Sequence, residues 1–289
     1  KFENLFKYKK LVKTKISHIY ILNRKMDNPV LFIDMSYYIF YRFYALRSWY
    51  KRSQETELDI ENVMKNELFI KKYHKLFIEN IKKIQKKYKL ENALIIFAKD
   101  CRRYNIWRNE YYSEYKQNRD DKKRSFNSDI FIYTYDKIEP DLKKLNIKIL
   151  EAANAEGDDI IAILKNNYRN KNSEQPIYII TNDHDYLQLF DNNTYIYNLQ
   201  GINLRTKSRG EKIDLKLKIL QGDISDNITS IFNKKMSLKK ILEMINDNDI
   251  LEKFLKENEE ANELYKRNKL LIDFNMIPEK IKNNIISLI

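Results

Sequence analysis

Five short runs of apolar and β-branched residues, at 30–33, 94–98, 147–150, 177–181 and 194–198, are each separated by enough chain for a helix. That alternation predicts an α/β fold, a mostly parallel central sheet flanked by helices. Helical periodicity is clearest over 60–88, through Val63, Leu68, Ile70, Leu76, Phe77, Ile81 and Ile84, and again over 130–145 and 158–168. From about residue 213 the pattern becomes short helices without a convincing strand, so a C-terminal helical lobe is expected at 213–289. The α/β core is expected at 29–212. The stretch 1–28 reads as a basic N-terminal extension, Lys-rich with a single acid, Glu3, up to residue 25.

Composition narrows the chemistry. The 289 residues carry a formal net charge of +13, which favours a polyanionic partner such as nucleic acid, although heavy use of Lys, Asn, Ile and Tyr also follows from an AT-rich genome. Four glycines exclude a G-x-G-x-x-G dinucleotide loop and a phosphate-binding P-loop. One cysteine excludes disulfides within the chain and a Cys-rich zinc site, and three histidines without a G-x-S-x-G make a serine hydrolase a poor fit. A metal here would need oxygen ligands, which points to Mg²⁺ or Mn²⁺. No window approaches 18 consecutive apolar residues, so a soluble protein without a membrane partner is expected. It is further expected to be intracellular and monomeric.

Acids fall where the strands end. The first run meets Asp34, the second meets Asp100, and the fourth meets Asp183 and Asp185, which in an α/β sheet delivers carboxylates to the ligand-binding edge. Glu156, Asp158 and Asp159 sit at the start of a helix, where the aspartates could equally serve the helix dipole. Asp223 and Asp226, three residues apart, suit two ligands on one cation or a surface turn. So many like charges at one edge call for cations, and two divalent ions about 3.5–4 Å apart would activate water and stabilise the leaving oxygen of a phosphodiester.

Between the second and third runs, Arg102, Arg103, Trp107, Arg108, Tyr111, Tyr112, Tyr115, Lys116 and Arg119 interleave cations with aromatic rings. Cations meet phosphates and rings stack on bases, so this reads as a single-strand path, or else as an amphipathic helix with its rings turned inward. The aromatic stretch after Asp34 reads mainly as core, with one or two rings facing the site, and Arg42 within it is a candidate nucleic-acid contact.

These motifs together resemble the structure-specific 5′ nuclease family, which comprises phage 5′–3′ exonucleases, the 5′-nuclease domains of bacterial family A polymerases, and flap endonucleases. Phe32-Ile-Asp34 and Phe97-Ala-Lys-Asp100 are similar to its acidic strands, Glu156-Gly-Asp158-Asp159 to its E-A-D-D, Thr181-Asn-Asp183-His-Asp185 to its T-x-D-x-D, and Gly222-Asp-Ile-Ser-Asp226-Asn-Ile to its G-D-x-S-D-N-I, in the same order. The resemblance implies a PIN-like core, a helical gateway at about 101–128, and two ions. Asp34, Asp100, Glu156, Asp158 and Asp159 would serve one ion, and Asp183, Asp185, Asp223 and Asp226 the second. It also implies that Lys116 and Arg119 stabilise charge on the scissile phosphate and that Phe40 stacks on the base beside the cut.

One segment departs from the family. Where members carry a glycine-rich hairpin that grips duplex phosphates with help from a monovalent cation such as K⁺, residues 229–237 contain no glycine. Asn233 could adopt a left-handed conformation there, and Lys234, Lys235, Lys239 and Lys240 could replace amide contacts by charge. The expected activity is divalent-metal-dependent 5′–3′ exonuclease and flap cleavage of branched or 5′-ended DNA in replication and repair, RNA primers included. A PIN-like ribonuclease and an inactive branched-DNA-binding protein are the alternatives. The AT-rich composition fits a phage, a mycoplasma-like bacterium or an apicomplexan organelle such as the apicoplast.

Overall fold

The computed structural model describes residues 28–53, 62–119 and 129–289, so 1–27 of the expected N-terminal extension and 120–128 of the expected gateway lie outside the described residues. The five expected strands all form: β1 (Val30–Asp34), β2 (Leu94–Lys99), β3 (Lys148–Glu151), β4 (Ile177–Ile180) and β5 (Thr194–Tyr197). They make one sheet in the order β3-β2-β1-β4-β5, and every pairing is parallel. Parallel pairing needs crossovers, and helices supply them: α1 (Met35–Ser53), α2 (Glu67–Tyr88), α3 (Asp129–Tyr133), α4 (Glu139–Lys144) and α5 (Gly157–Lys171).

Both faces of the sheet are covered, which is why the central strands β1, β2 and β4 carry near-continuous apolar runs rather than alternating with polar residues. Val30, Phe32, Ile96, Ala98, Ile177 and Ile179 point into one core, packed on α5 residues such as Ile160, Ile161 and Leu164. Leu31, Ile33, Ile95, Phe97 and Ile180 point into the other, against α1 and α2. Each core residue of β1 is essentially solvent-free. Burying such a side chain contributes about 1.5–3 kcal/mol.

Helix α2 starts later than periodicity alone indicates. Asn66 caps it by accepting the Phe69 amide at 2.9 Å, and its buried stripe is Phe69, Tyr73, Phe77, Ile81 and Ile84. Leu68, expected on that stripe, is 67% exposed, because the face runs through Phe69, Tyr73 and Phe77 instead. The 130–145 helix is interrupted by a wide π turn at Thr134–Ile138, just ahead of Pro140, whose ring nitrogen offers no hydrogen to the preceding turn.

Beyond β5 the regular elements are helical: α6 (Glu211–Gln221), α7 (Leu238–Asn246), α8 (Asn248–Glu257), α9 (Glu259–Ile272) and α10 (Glu279–Ile286). Helices α6 to α9 surround their own core of Leu220, Ile231, Ile241, Met244 and Leu251. The end of the chain does not stay with them. Phe274, Ile277, Ile281 and Ile285 return to the α5 side of the sheet and join its core. No helix among the described residues is long and apolar enough to cross a membrane.

Candidate active site

An open cavity of about 1080 Å³ lies at the carboxyl edge of the sheet, where the strand-end residues meet α6 and the loop after it. Six of the nine expected acids line it: Asp34, Asp100, Glu156, Asp158, Asp183 and Asp223. Parallel register explains the convergence, since Asp34 of β1 stands opposite Ala98 of β2, two residues before Asp100.

Their positions are fixed by short polar contacts. Asp34 accepts the Tyr37 amide and the Thr181 hydroxyl, both at 3.0 Å. Asp100 accepts the Ser36 hydroxyl at 2.5 Å and the Gly157 amide at 2.7 Å. Gly157 permits that approach, because a Cβ there would lie 3.0 Å from the Ala98 carbonyl and 3.2 Å from Asp100 itself. Glu156 caps α5 and exchanges capping contacts with Asp159. Asp183 begins the turn at His184–Leu189, accepting the Asp185 amide at 2.9 Å.

The acids divide by their counter-charges. Burial, then Asp100 and Asp183 nearby, pushes Asp34 up to about 7. Burial likewise raises Asp100, and burial with Asp159 and Glu156 beside it raises Asp158 well above the usual carboxylate range. Glu156 goes the other way. Burial opposes its charge, yet Lys116 and Arg108 together hold it down at about 2. A bare group of Asp34, Asp100 and Asp158 therefore sits beside a neutralised one.

The second group is neutralised too. Atoms of Asp185, Asp223 and Asp226 lie within 4.8 Å of one another, as do those of Glu156, Asp158 and Asp159. Lys218 pairs with both Asp185 and Asp223, while Arg119 and Lys116 pair with Asp226. Asp226 and Asp185 do not line the cavity, and neither does Asp159, whose oxygens accept from Arg108, Trp107 and the Glu156 amide. A cation bound through Asp159 would have to compete with Arg108.

Lys116 and Arg119 do reach the cavity. They come from a chain of short 3-10 turns, Arg103–Asn105, Trp107–Glu110 and Gln117–Arg119, so the described part of the expected gateway has no α-helix. Lys116 has a left-handed backbone, φ 59°, sparsely populated without glycine, and its amide donates to the Asp226 carbonyl at 2.9 Å.

Two expected nucleic-acid contacts are corrected. Arg108 is 2% exposed and donates to Glu156, Asp159 and the Leu271 carbonyl, so it stitches three parts of the fold together and has no face for DNA. Tyr115 is 5% exposed, and its hydroxyl donates toward Glu156 and Asp226 rather than presenting a ring to a base. Arg102 is exposed, Arg103 binds the Lys116 carbonyl, and Arg42 lies over the rings of Tyr41 and Tyr38. Phe40 is 38% exposed on α1, against Tyr44 and Phe131. Lys234, Lys235, Lys239 and Lys240 are all exposed around the start of α7. Asn233 is not left-handed; Asn227 is, closing the turn at Ile224–Asp226.

Sequence reasoning missed Lys207, Arg209 and Lys218, which line the cavity from the far side. Lys218 carried a usable signal, since it stands one helical turn before Gly222-Asp223.

Known proteins are similar to this chain in sequence and in fold. Residues 29–216 match the family described as 5′-3′ exonuclease, N-terminal resolvase-like domain. A 5′-3′ exonuclease of Buchnera aphidicola (subsp. Acyrthosiphon pisum) is 29% identical over 91% of this chain and 84% of its own. The protein named Ribonuclease H of Enterobacteria phage T4 is 29% identical over 73% and 75%. A zinc-bound T5 5′-exonuclease superposes with a TM-score of 0.62 at 15% identity, covering 90% of this chain and 97% of that one. A bacteriophage T5 flap endonuclease in a pseudo-enzyme-product complex with DNA and metal ions gives 0.60 at 15% identity, with the same coverage.

Proposed function

The chain belongs to the 5′-3′ exonuclease family, and on that premise we propose that it is a divalent-metal-dependent nuclease that cuts 5′-ended and 5′-flapped DNA. The observation that carries this reading is that Asp34, Asp100 and Asp158 face one cavity, where burial first and then neighbouring carboxylates raise each of them: Asp100 and Asp183 for Asp34, Glu156 for Asp100, and Asp159 with Glu156 for Asp158. Such a group is tolerable when a cation replaces the protons. Its all-oxygen donor set fits Mg²⁺ or Mn²⁺, so the residues present suit the metal.

Asp34, Asp100 and Asp158 would hold one ion, with Asp183 at its edge. A second ion would be held by Asp185, Asp223 and Asp226 if Lys218 gives way. When bound, such ions supply water activation and neutralisation of charge on the phosphodiester.

The chain's own residues do the rest. Thr181, Tyr37, Ser36 and Gly157 fix the carboxylate rotamers at Asp34 and Asp100 before any ligand arrives. Lys116, held by Glu156 and Asp226, keeps a positive charge at the cavity wall, and Arg119 adds a guanidinium with nearly half its side chain in solvent. Both can meet a phosphate whose charge grows in the transition state. Lys207 and Arg209 are exposed on the cavity rim and suit the neighbouring phosphates.

The test is cleavage of matched 5′-flap, nicked and overhang DNAs and single-stranded RNA, in Mg²⁺ against EDTA. Mg²⁺-dependent release from the 5′ side of DNA is expected. Faster hydrolysis of single-stranded RNA would favour a ribonuclease, and tight flap binding without cleavage a DNA-binding protein.

A further inference from the structure

Tyr186 lies in the turn at His184–Leu189, 1% exposed, with its ring edge-on to Phe274. Its hydroxyl is shut off from solvent and has no hydrogen-bond partner among the described residues. Other buried tyrosines are satisfied: Tyr38 donates to the Phe77 carbonyl, Tyr73 meets Thr134, and Tyr115 meets Glu156 and Asp226. Tyr88 shares the orphaned state, but beside Tyr197 and Tyr178 rather than acids. Tyr186 instead lines the active-site cavity, and the charges that bear on its hydroxyl are those of Asp34, Asp158, Asp183 and Asp100. An unpaired buried hydroxyl costs stability that phenylalanine at the same position would not. That cost is recovered if the partner arrives with the ligand.

We propose that Tyr186 is a positioning residue, its hydroxyl buried in the metal-free chain and coming within reach of the water shell of the divalent cation when Asp34, Asp100 and Asp158 close on that ion, so that it donates a hydrogen bond to a cation-held water. The inference rests on the metal-dependent reading above. A phenol in this place orients cation-held water from the protein side while the carboxylates supply the charge, the kind of supporting contact whose loss lowers metal affinity about 10–100-fold.

Tyr186→Phe removes one oxygen and leaves the ring, so the two effects separate. The metal-free variant should melt at the same temperature as the parent or higher. Its affinity for Mn²⁺, titrated calorimetrically without DNA, should fall about tenfold. In the parent chain with tyrosine labelled at Cζ, the resonance missing from Tyr186→Phe should shift on adding Mg²⁺ and stay fixed on adding Na⁺ at equal ionic strength. Unchanged Mn²⁺ affinity in the variant, or a resonance blind to Mg²⁺, overturns the role of Tyr186 while leaving the nuclease reading intact. A parent protein that binds no Mn²⁺ at all overturns both.

Discussion

The ammonium of Lys218 stands 2.7 Å from Oδ2 of Asp223, and the same nitrogen pairs with Asp185. Burial opposes charge on Asp223, but Lys218 and the Ser225 contacts hold it below the usual carboxylate range. A divalent cation at this second group therefore competes with an ammonium already in place. Lys218→Met keeps an apolar stem and removes the competitor. We expect the weaker Mn²⁺ site to tighten about tenfold, about 1.4 kcal/mol. Metal-free stability should fall by about 1.5–3 kcal/mol, the value of hydrogen bonds to charged groups. Calorimetric titration of Lys218→Met checks both, and an unchanged weaker site refutes the competition.

Arg108 carries a different expectation from the one its sequence setting suggests. It is a buried cation with Glu156 and Asp159 as partners, so Arg108→Met leaves Asp159 without its counter-charge and Glu156 with Lys116 alone. Breaking such a pair costs about 3–5 kcal/mol. Urea denaturation should show that loss. The salt dependence of DNA binding by the folded fraction should be unaltered, because no phosphate contact is lost. A variant of parental stability with a shallower salt slope would return Arg108 to the DNA surface.

Which features could be read from the chain follows from how local their causes are. Strands β1, β2 and β4 were visible because an unbroken apolar run ending in an acid is a local pattern with one good explanation in a parallel sheet. Arg108 and Lys218 were not visible in the same way. A guanidinium among tyrosines looks like a nucleic-acid contact until the Leu271 carbonyl, 163 residues away in sequence, closes over it. Leu68 and Phe69 are equally apolar, and only the Asn66 cap decides which of them turns inward.

The raised carboxylates make stability depend on pH and metal together. Asp34 titrates near 7 in the folded chain, against about 4 unfolded. Between those values the folded state holds the proton that the unfolded state has released, so its contribution is present below pH 4 and lost as pH rises through 7. Asp100 and Asp158 are raised in the same sense. Without metal, the melting temperature should decline from pH 5 to pH 8. Mg²⁺ binds the ionised form, so the rise it produces should be larger at pH 8 than at pH 5. Calorimetric scans at both pH values, with Mg²⁺ or EDTA, decide this; a Mg²⁺ effect greater at pH 5 would contradict it.

Lys116 supplies a fixed positive charge beside the acids, locked by Glu156 and by its own strained backbone. Lys116→Ala should slow single-turnover cleavage by a factor on the order of 10² or more, as when one transition-state donor is lost. Flap affinity should change far less. Single-turnover rates equal to those of the parent would remove Lys116 from the chemistry and leave it a structural ion pair.

The glycine-free segment after Asn227 leads to a prediction about how duplex DNA is held. Clamping phosphates with backbone amides needs close approach and positive φ, which glycine allows without strain. Here the last left-handed residue before α7 is Asn227, and Asn233 is not left-handed. Lys234, Lys235, Lys239 and Lys240 are exposed instead, and Ser237 caps α7 by accepting the Lys240 amide. Ammonium groups on flexible stems act as point charges rather than as a shaped cradle. Duplex affinity should therefore fall steeply with salt, by about 0.9 in log–log slope for each phosphate neutralised. Replacing the four lysines with glutamine should flatten that slope and weaken flap duplexes more than single strands. Exchanging K⁺ for Na⁺ at constant ionic strength should leave affinity unchanged, because residues 228–237 have no left-handed residue to shape an amide cradle that selects between them. A strong preference for K⁺ would mean that a cation-assisted clamp forms without its glycines.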